Sequence, residues 1–397
     1  MSLHDQPYGV GLAYRYHLHE EVMTYRSEMD LLEIPTEDHI IRRRALSYPG
    51  AREKFDEALE NFSCVAHGIS MSIGSVEALD QEYFRANREM MDQAGIKIFS
   101  EHLAYHRMDG KDISSFLGMP LCDESLEWLV HQYWHARELM GGPFALENVS
   151  LSYPVPEAQY SEPEFLTKFL SKTDGSLLLD VTNLYNNCTN FKTDPLEFLH
   201  ALPGDRVSQI HLAGGHYDED GFLIDSHSFA VMDEVWDIFR AAIHHTNANI
   251  VIVERDYKCF PFREVMADVR KAREIFYEIR PNKLPEVSVE ADPEVGKRPI
   301  PDAEDSQFAD LRNFQRATIR SITDDDYRGM ASSTPEKVSQ EFPMAQEWID
   351  RFAKCDKLDS MAHSWKETDR YNREDAERFR QWEWNQWAMQ SRAMQSK

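Results

Sequence analysis

Cysteine is scarce and follows no pattern: the five thiols, Cys64, Cys122, Cys188, Cys259 and Cys355, are scattered, odd in number and never spaced as CxxC. Neither a disulfide framework nor a thiolate zinc site is indicated. Positive charge is also short, with 43 Lys and Arg against 69 Asp and Glu and a net charge of -26. Such a chain repels a polyphosphate backbone unless a local basic groove intervenes, so nucleic acid is not the expected substrate. No stretch approaches the roughly eighteen consecutive apolar residues of a membrane span. The opening MSLHDQPYGVGLAYR lacks the basic and apolar regions of a secretory signal, and a soluble, cytoplasmic protein is expected. No GxGxxG follows the first apolar run, which removes the usual dinucleotide-binding reading of an α/β chain. Any metal site must therefore be built from nitrogen and oxygen ligands.

The chain has 397 residues, 42% of them hydrophobic and 28% charged, enough for a barrel of about 250 residues plus an appendage of roughly a hundred. Eight short apolar runs, each followed by a helix-compatible stretch, recur up to about position 255: Val10 to Tyr14, Asp30 to Ile34, Cys64 to Ile69, Ile96 to His102, Phe144 to Asn148, Leu177 to Asp180, Val207 to Leu212 and Ile250 to Glu254. That alternation predicts an α/β fold, a TIM (β/α)8 barrel over residues 1–280. Residues 281–307 are rich in proline and acids and read as a linker. Residues 308–397 read as a helical C-terminal extension: Phe308, Leu311, Phe314 and Ile322 recur at helical spacing, and Thr334-Pro335-Glu336 reads as a helix start. Five of the eight tryptophans, Trp348, Trp365, Trp382, Trp384 and Trp387, lie there, too many to leave in water without a partner surface. Asp324-Asp325-Asp326 reads as an exposed turn.

Coordinating residues fall repeatedly at the ends of the runs, where barrels assemble their active sites. The third run ends in Ala66-His67-Gly68, the fourth in Ser100-Glu101-His102, the fifth in Leu146-Glu147-Asn148 and the sixth in Asp180-Val181-Thr182-Asn183. The seventh carries His211 and leads to Asp225-Ser226-His227, and the eighth ends in Glu254-Arg255-Asp256. Any one of these has an ordinary alternative as a cap or a satisfied core histidine. Together they would repel or desolvate one another unless cations neutralised them. His67, His102, Glu147, Asp180, Asn183, His211, Asp225, His227 and Glu254 are too many ligands for one ion and suit two or three, with Glu147 as the natural bridge. Iron, manganese and zinc all accept such a set. His216, Glu101 and Asp256 are weaker members, Glu101 because it is expected to point away from the axis beside His102. His17, His19, His244 and His245 sit in helical stretches and are expected to be solvated.

The segments GVGLAYR, DLLEIPTED, HGISMSIGS, SEHLAYH, LENVS, LLLDVTNLY, IHLAGGH, LIDSHS and VERD are similar, in order and spacing, to the motif series of the multinuclear non-heme iron-dependent oxidative enzymes. That family includes the methanobactin-biosynthesis oxygenase and the 3-thiaglutamate biosynthesis enzyme, and the resemblance covers roughly residues 8 to 270. It implies two or three iron ions of mixed Fe(II) and Fe(III) state, O2 as co-substrate, and oxidative modification of a Cys, Asp, Asn or similar residue of a ribosomally synthesised precursor peptide. A peptide-recruiting partner protein is common in the family. The matching positions imply the ligand set His67, His102, Glu147, Asp180, Asn183, His211, Asp225, His227 and Glu254. Two departures stand out. Glu37-Asp38-His39 replaces the family's usual segment after the second strand, which implies altered substrate contacts. The tail from about 281 has no counterpart in shorter members, and is expected to replace the recruiting partner or to bind one. The competing readings are a Zn or Mn barrel isomerase or hydrolase, and a non-catalytic peptide- or metal-binding module.

Overall fold

The computed structural model describes residues 7–40, 50–151, 158–219, 221–285, 303, 305–355, 358, 361 and 362. Most of the expected linker and Trp365, Trp382, Trp384 and Trp387 lie outside the described residues. The chain divides into two compact units, one of residues 1–105 and 116–311, the other of residues 106–115 and 312–397.

In the first unit eight parallel strands close into a barrel. They are β1 (Gly9–Ala13), β2 (Leu31–Pro35), β3 (Ser63–His67), β4 (Phe99–His102), β7 (Ala145–Glu147), β8 (Ser176–Asp180), β9 (Val207–Leu212) and β12 (Ile250–Val253), in the spatial order β1-β12-β9-β8-β7-β4-β3-β2. All eight apolar runs became barrel strands. Helices cover the outside, so runs such as Ile250–Val253 are buried at every position, as expected of parallel strands covered on both faces. Side chains alternate along each strand, and Ala13, Leu31, Val65, Ile250 and Ile252 meet inside as an apolar plug. Two residues further along the same inward faces come Glu33, His67 and Glu254. One alternation thus builds both the plug and the floor of the site.

Among the described residues, the α-helices of this unit before residue 280 are α1 (His19–Thr24), α2 (Glu37–Ile40), α3 (Ala51–Asn61), α4 (Gln81–Ala94), α5 (Asp123–Met140), α6 (Glu162–Lys172), α7 (Val181–Phe191), α8 (Pro195–Ala201), α9 (Asp233–His245) and α10 (Phe262–Ile279). Their ends carry the expected chemistry: Asp80 caps α4 through the amides of Glu82 and Tyr83, and Gly95 and Gly141 end α4 and α5 in left-handed conformation. Phe308 meets Trp128 of α5 edge to face, with ring centroids 5.0 Å apart. Among the described residues no helix is long and apolar enough to cross a membrane.

Two hairpins were not foreseen. The first, β5 (Tyr105–Met108) and β6 (Lys111–Leu117), turns at Asp109-Gly110, whose φ values of 51° and 72° suit the tight turn that this dipeptide favours. The second, β10 (His216–Tyr217) and β11 (Leu223–Ile224), is a short antiparallel pair.

The second unit contains the tip of the first hairpin and most of α11 (Ala309–Thr323), followed by α12 (Asp325–Ser333), α13 (Val338–Glu341) and α14 (Gln346–Ala353). Trp348, 1% exposed, packs on Phe314 in its core. Arg316 holds the hairpin tip through both carboxylate oxygens of Asp109. Asp324 is not part of an open turn: its carboxylate accepts the Tyr327 amide and caps α12, because an acid at the N-cap both pairs an orphan N–H and complements the helix dipole.

Candidate metal centre

The candidate metal-ligating residues converge because they occupy equivalent positions on neighbouring strands. His67, His102, Glu147 and Asp180 are the last residues of β3, β4, β7 and β8, His211 is the penultimate residue of β9, and Glu254 directly follows β12. Register aligns His102 with Glu147 and Asp180 with His211.

The imidazoles of His67 and His102 are held alike. His67 Nδ1 lies 2.9 Å from the Ser100 hydroxyl, and His102 Nδ1 donates to the Gly68 carbonyl at 3.0 Å. Both rings therefore turn Nε2 toward one oxygen, Glu147 Oε2, at 3.2 and 3.5 Å. Phe116 lies flat on the His102 ring, with centroids 4.0 Å apart. On the other side His211 Nδ1 sits 3.1 Å from Glu254 Oε2 and 3.6 Å from Glu147 Oε1.

Asn148 locks the end of β8, accepting the Asp180 amide and donating to the Asp180 carbonyl. Asp180 Oδ1 then caps α7 by accepting the Asn183 amide at 2.6 Å, and Asn183 Nδ2 donates to the Asn148 carbonyl. These bonds leave Asp180 Oδ2 and Asn183 Oδ1 unpaired.

Ligand atoms of His67, His102 and Glu147 lie within 4.8 Å of one another, as do those of Glu147, Asp180, His211 and Glu254. Glu147 belongs to both groups. Asp225 and His227 stand outside them: His227 Nε2 bonds Asp225 at 3.0 Å, and its Nδ1 lies 3.9 Å from Glu254. Asn183 joins through Asp180. Of the weaker members, Glu101 points away from the axis, accepting from the Met71 amide and the Tyr83 hydroxyl. His216 is exposed and lies 3.0 Å from the Ser226 hydroxyl. Asp256 bonds His227 Nδ1 at 3.1 Å and takes Arg15 on its other oxygen.

As side chains alone the cluster is electrostatically costly. Burial pushes Asp180 well above the usual carboxylate range, and Glu147 adds to the shift. Burial drives His67 well below its ordinary value, with His102 and His211 adding to it. For His102 the lowering by burial is overcome by Glu147 and Glu101, and the ring is pushed up to about 9. His211 rises well above its ordinary value because Glu33, Glu254 and Glu147 outweigh its burial.

The buried atoms with no hydrogen-bond partner include Glu147 Oε2, Asp180 Oδ2, Asn183 Oδ1, His211 Nδ1 and Asp225 Oδ1. Each such atom costs on the order of 1–3 kcal/mol if left unpaired. All belong to residues singled out from the sequence, and all are donors suited to a first-row divalent or trivalent ion. The residues present fit bound metal. The described cysteines are buried free thiols and take no part in these groups.

Sequence reasoning overlooked Arg15, Glu33 and the anchoring role of Asn148. Arg15 follows β1 and Asn148 follows β7, so the strand-end rule that found the others applied to them as well. Glu33 lies inside an apolar run, and only the inward parity of Leu31 and Glu33 marks it. One expectation fails outright. His19 is buried rather than solvated, bonded to the Tyr14 hydroxyl and Glu57. Glu37 and His39 are interior residues: Glu37 accepts the amides of Ile69 and Ser70, and His39 packs on Phe55.

Residues 9–277 match the family model for the RiPP precursor modification enzyme MbnB/TglH/ChrH. The chain is 28% identical to a UPF0276 protein of Acinetobacter baylyi, over 67% of this chain and 90% of that protein. It is 32% identical to a UPF0276 protein of Shewanella oneidensis, over 63% of this chain and 86% of that one. Among solved structures, a D-allulose 3-epimerase from Methylomonas sp. in complex with D-allulose aligns with a TM-score of 0.45 and 14% identity, over 70% of this chain and 99% of that one.

Proposed function

The chain belongs to the RiPP precursor modification enzyme family MbnB/TglH/ChrH, and from that premise we propose that it is an oxygen-dependent multinuclear non-heme iron enzyme. Its substrate is a ribosomally synthesised precursor peptide, on which it oxidatively modifies a Cys, Asp, Asn or similar residue. The carrying observation is the pair of overlapping ligand groups that share Glu147. The ligands are His67, His102, Glu147, Asp180, Asn183, His211, Asp225, His227 and Glu254. Iron bound there, two or three ions in mixed Fe(II) and Fe(III) states, would supply one-electron chemistry toward molecular oxygen and a Lewis-acid anchor for a substrate thiolate or carboxylate.

The chain's own residues divide the remaining work. Ser100 and the Gly68 carbonyl fix the His67 and His102 rings, so that Nε2 of each is presented without rotamer search. Asp256, itself held by Arg15, keeps the His227 ring turned with Nε2 toward Asp225. Exposure is uneven: the His102, Asp225, His227 and Asp256 side chains are 14%, 19%, 18% and 30% exposed, whereas those of Glu147 and His211 are 2% and 0% exposed. Substrate enters from the exposed side and water is excluded from the other. Residues 308–397 take the place of a separate peptide-recruiting protein or form the surface that binds one.

The test is iron content and oxygen uptake of anaerobically purified protein with candidate peptides, together with the Glu147→Gln variant. The variant is expected to lose iron at more than one position. Full iron loading in that variant refutes the bridging role, and full zinc or manganese loading with no iron-dependent oxygen uptake in the parent favours an isomerase or hydrolase.

A further inference from the structure

Glu33 is a carboxylate in a place that disfavours one. It is 2% exposed, on the inward face of β2, directly above the plug residue Leu31. An ionised group there is strongly disfavoured unless it is paired. Its side-chain partner lies across the barrel on β9: His211 Nε2 is 2.8 Å from Glu33 Oε2. β2 and β9 are not neighbours in the barrel order, so this bond spans the interior.

The consequence is a choice of nitrogen. His67 and His102 have Nδ1 tied to protein groups and present Nε2 to Glu147. His211 is the reverse. Its Nε2 donates to Glu33, and its Nδ1 has no hydrogen-bond partner and faces Glu254 and Glu147. A carboxylate that accepts from one imidazole nitrogen fixes the tautomer, so the other carries the lone pair a metal needs.

We propose that Glu33 is a positioning residue that holds His211 in the Nε2-protonated form, so that His211 binds metal through Nδ1 whereas His67 and His102 bind through Nε2. The proposal rests on the metal-centre reading above. It assigns to the floor of the barrel a task that the strand-end ligands cannot perform for themselves. A β9 imidazole free to turn would present either nitrogen, and the Nε2 route would carry the metal toward β2, away from Glu147.

The experiment uses full-length protein labelled with ¹⁵N-histidine and loaded with Zn(II) alone, a diamagnetic probe. Imidazole nitrogen shifts and couplings distinguish Nδ1 from Nε2 metallation, and His211→Ala assigns the His211 signals. The wild type is expected to show His211 metallated at Nδ1, with His67 and His102 metallated at Nε2. Glu33→Ala is expected to lose the Nδ1-metallated signal and to weaken Zn(II) binding at the group containing His211 by about 10–100-fold. Binding at His67 and His102 is expected to persist. Glu33→Gln, whose amide oxygen still accepts from Nε2, is expected to keep the Nδ1 signal with a smaller loss of affinity. That rescue separates orientation from a purely structural role, and the wild-type spectrum decides the nitrogen even if Glu33→Ala fails to fold. Zinc uptake with His211 metallated at Nε2, or unchanged affinity in folded Glu33→Ala, overturns the proposal alone. A wild type that takes up no zinc overturns the metal reading and the proposal with it.

Discussion

Gly214 and Gly215 follow β9, and the segment carrying Asp225 and His227 folds back over them. A Cβ on Gly214 would lie 1.9 Å from the Phe229 carbonyl oxygen and 2.6 Å from that of Ala230. Real Cβ contacts do not fall below 3.0 Å, so the Phe229 carbonyl must retreat by at least 1.1 Å (3.0 − 1.9). Phe229 is two residues from His227, which already sits at φ 47° and is fixed by bonds of 3.0 Å to Asp225 and 3.1 Å to Asp256. A shift of that size lengthens such bonds to about 4 Å, past the limit of a hydrogen bond. Each charged bond lost is worth roughly 1.5–3 kcal/mol, and about 1 Å of misplacement costs on the order of a hundredfold in rate. Gly214→Ala is therefore expected to weaken metal binding at the position served by Asp225 and His227 by one to two orders of magnitude, as estimated from those energies. The group of His67, His102 and Glu147, on strands away from this loop, should load normally. Anaerobic iron titration of parent and variant reads both quantities. Unchanged stoichiometry and affinity, with the variant folded, would refute the claim that this loop presents ligands.

Burial lowers His39 from 6.5 to about 4, and its Nδ1 has no hydrogen-bond partner, so the folded state holds the ring neutral. The unfolded chain takes up its proton first on acidification. Stability is thus retained above pH 6.5 and lost as pH falls toward 4, by about 3 kcal/mol at most. Denaturant titrations across that window should show a shallower slope in His39→Gln, and an identical slope in both proteins would contradict the assignment. Removing residues 312–397 keeps the Phe308 contact with Trp128 and is expected to abolish precursor-peptide binding while leaving metal content intact. Undiminished turnover of the truncated protein would sink the recruiting role.

The barrel was legible because its strands are largely buried and so contain short apolar runs, as Leu177–Leu179 and Ile250–Val253 do. Strand-end residues were legible for the same reason, since the run itself announces where it stops. What escaped depends on tertiary neighbours. Glu33 interrupts a run with a charge whose reason, His211, is 178 positions away. His19 lies in a helical stretch with polar neighbours, and only the approach of Tyr14 and Glu57 buries it. Asp324 looked like one of three equivalent acids, although capping α12 selects the first of them. The hairpin turn at Asp109-Gly110 was the most readable miss, because that dipeptide between two extended segments is a hairpin signal in its own right.

In the proposed function this barrel mouth holds a multinuclear iron centre that works on a peptide with oxygen. Metal analysis and Mössbauer spectroscopy of anaerobically purified protein, followed by oxygen uptake with candidate precursor peptides, decide the matter. More than one iron per chain, some of them magnetically coupled, and peptide-dependent oxygen consumption are expected. Zinc or manganese at full occupancy, with no iron-dependent activity, would contradict it.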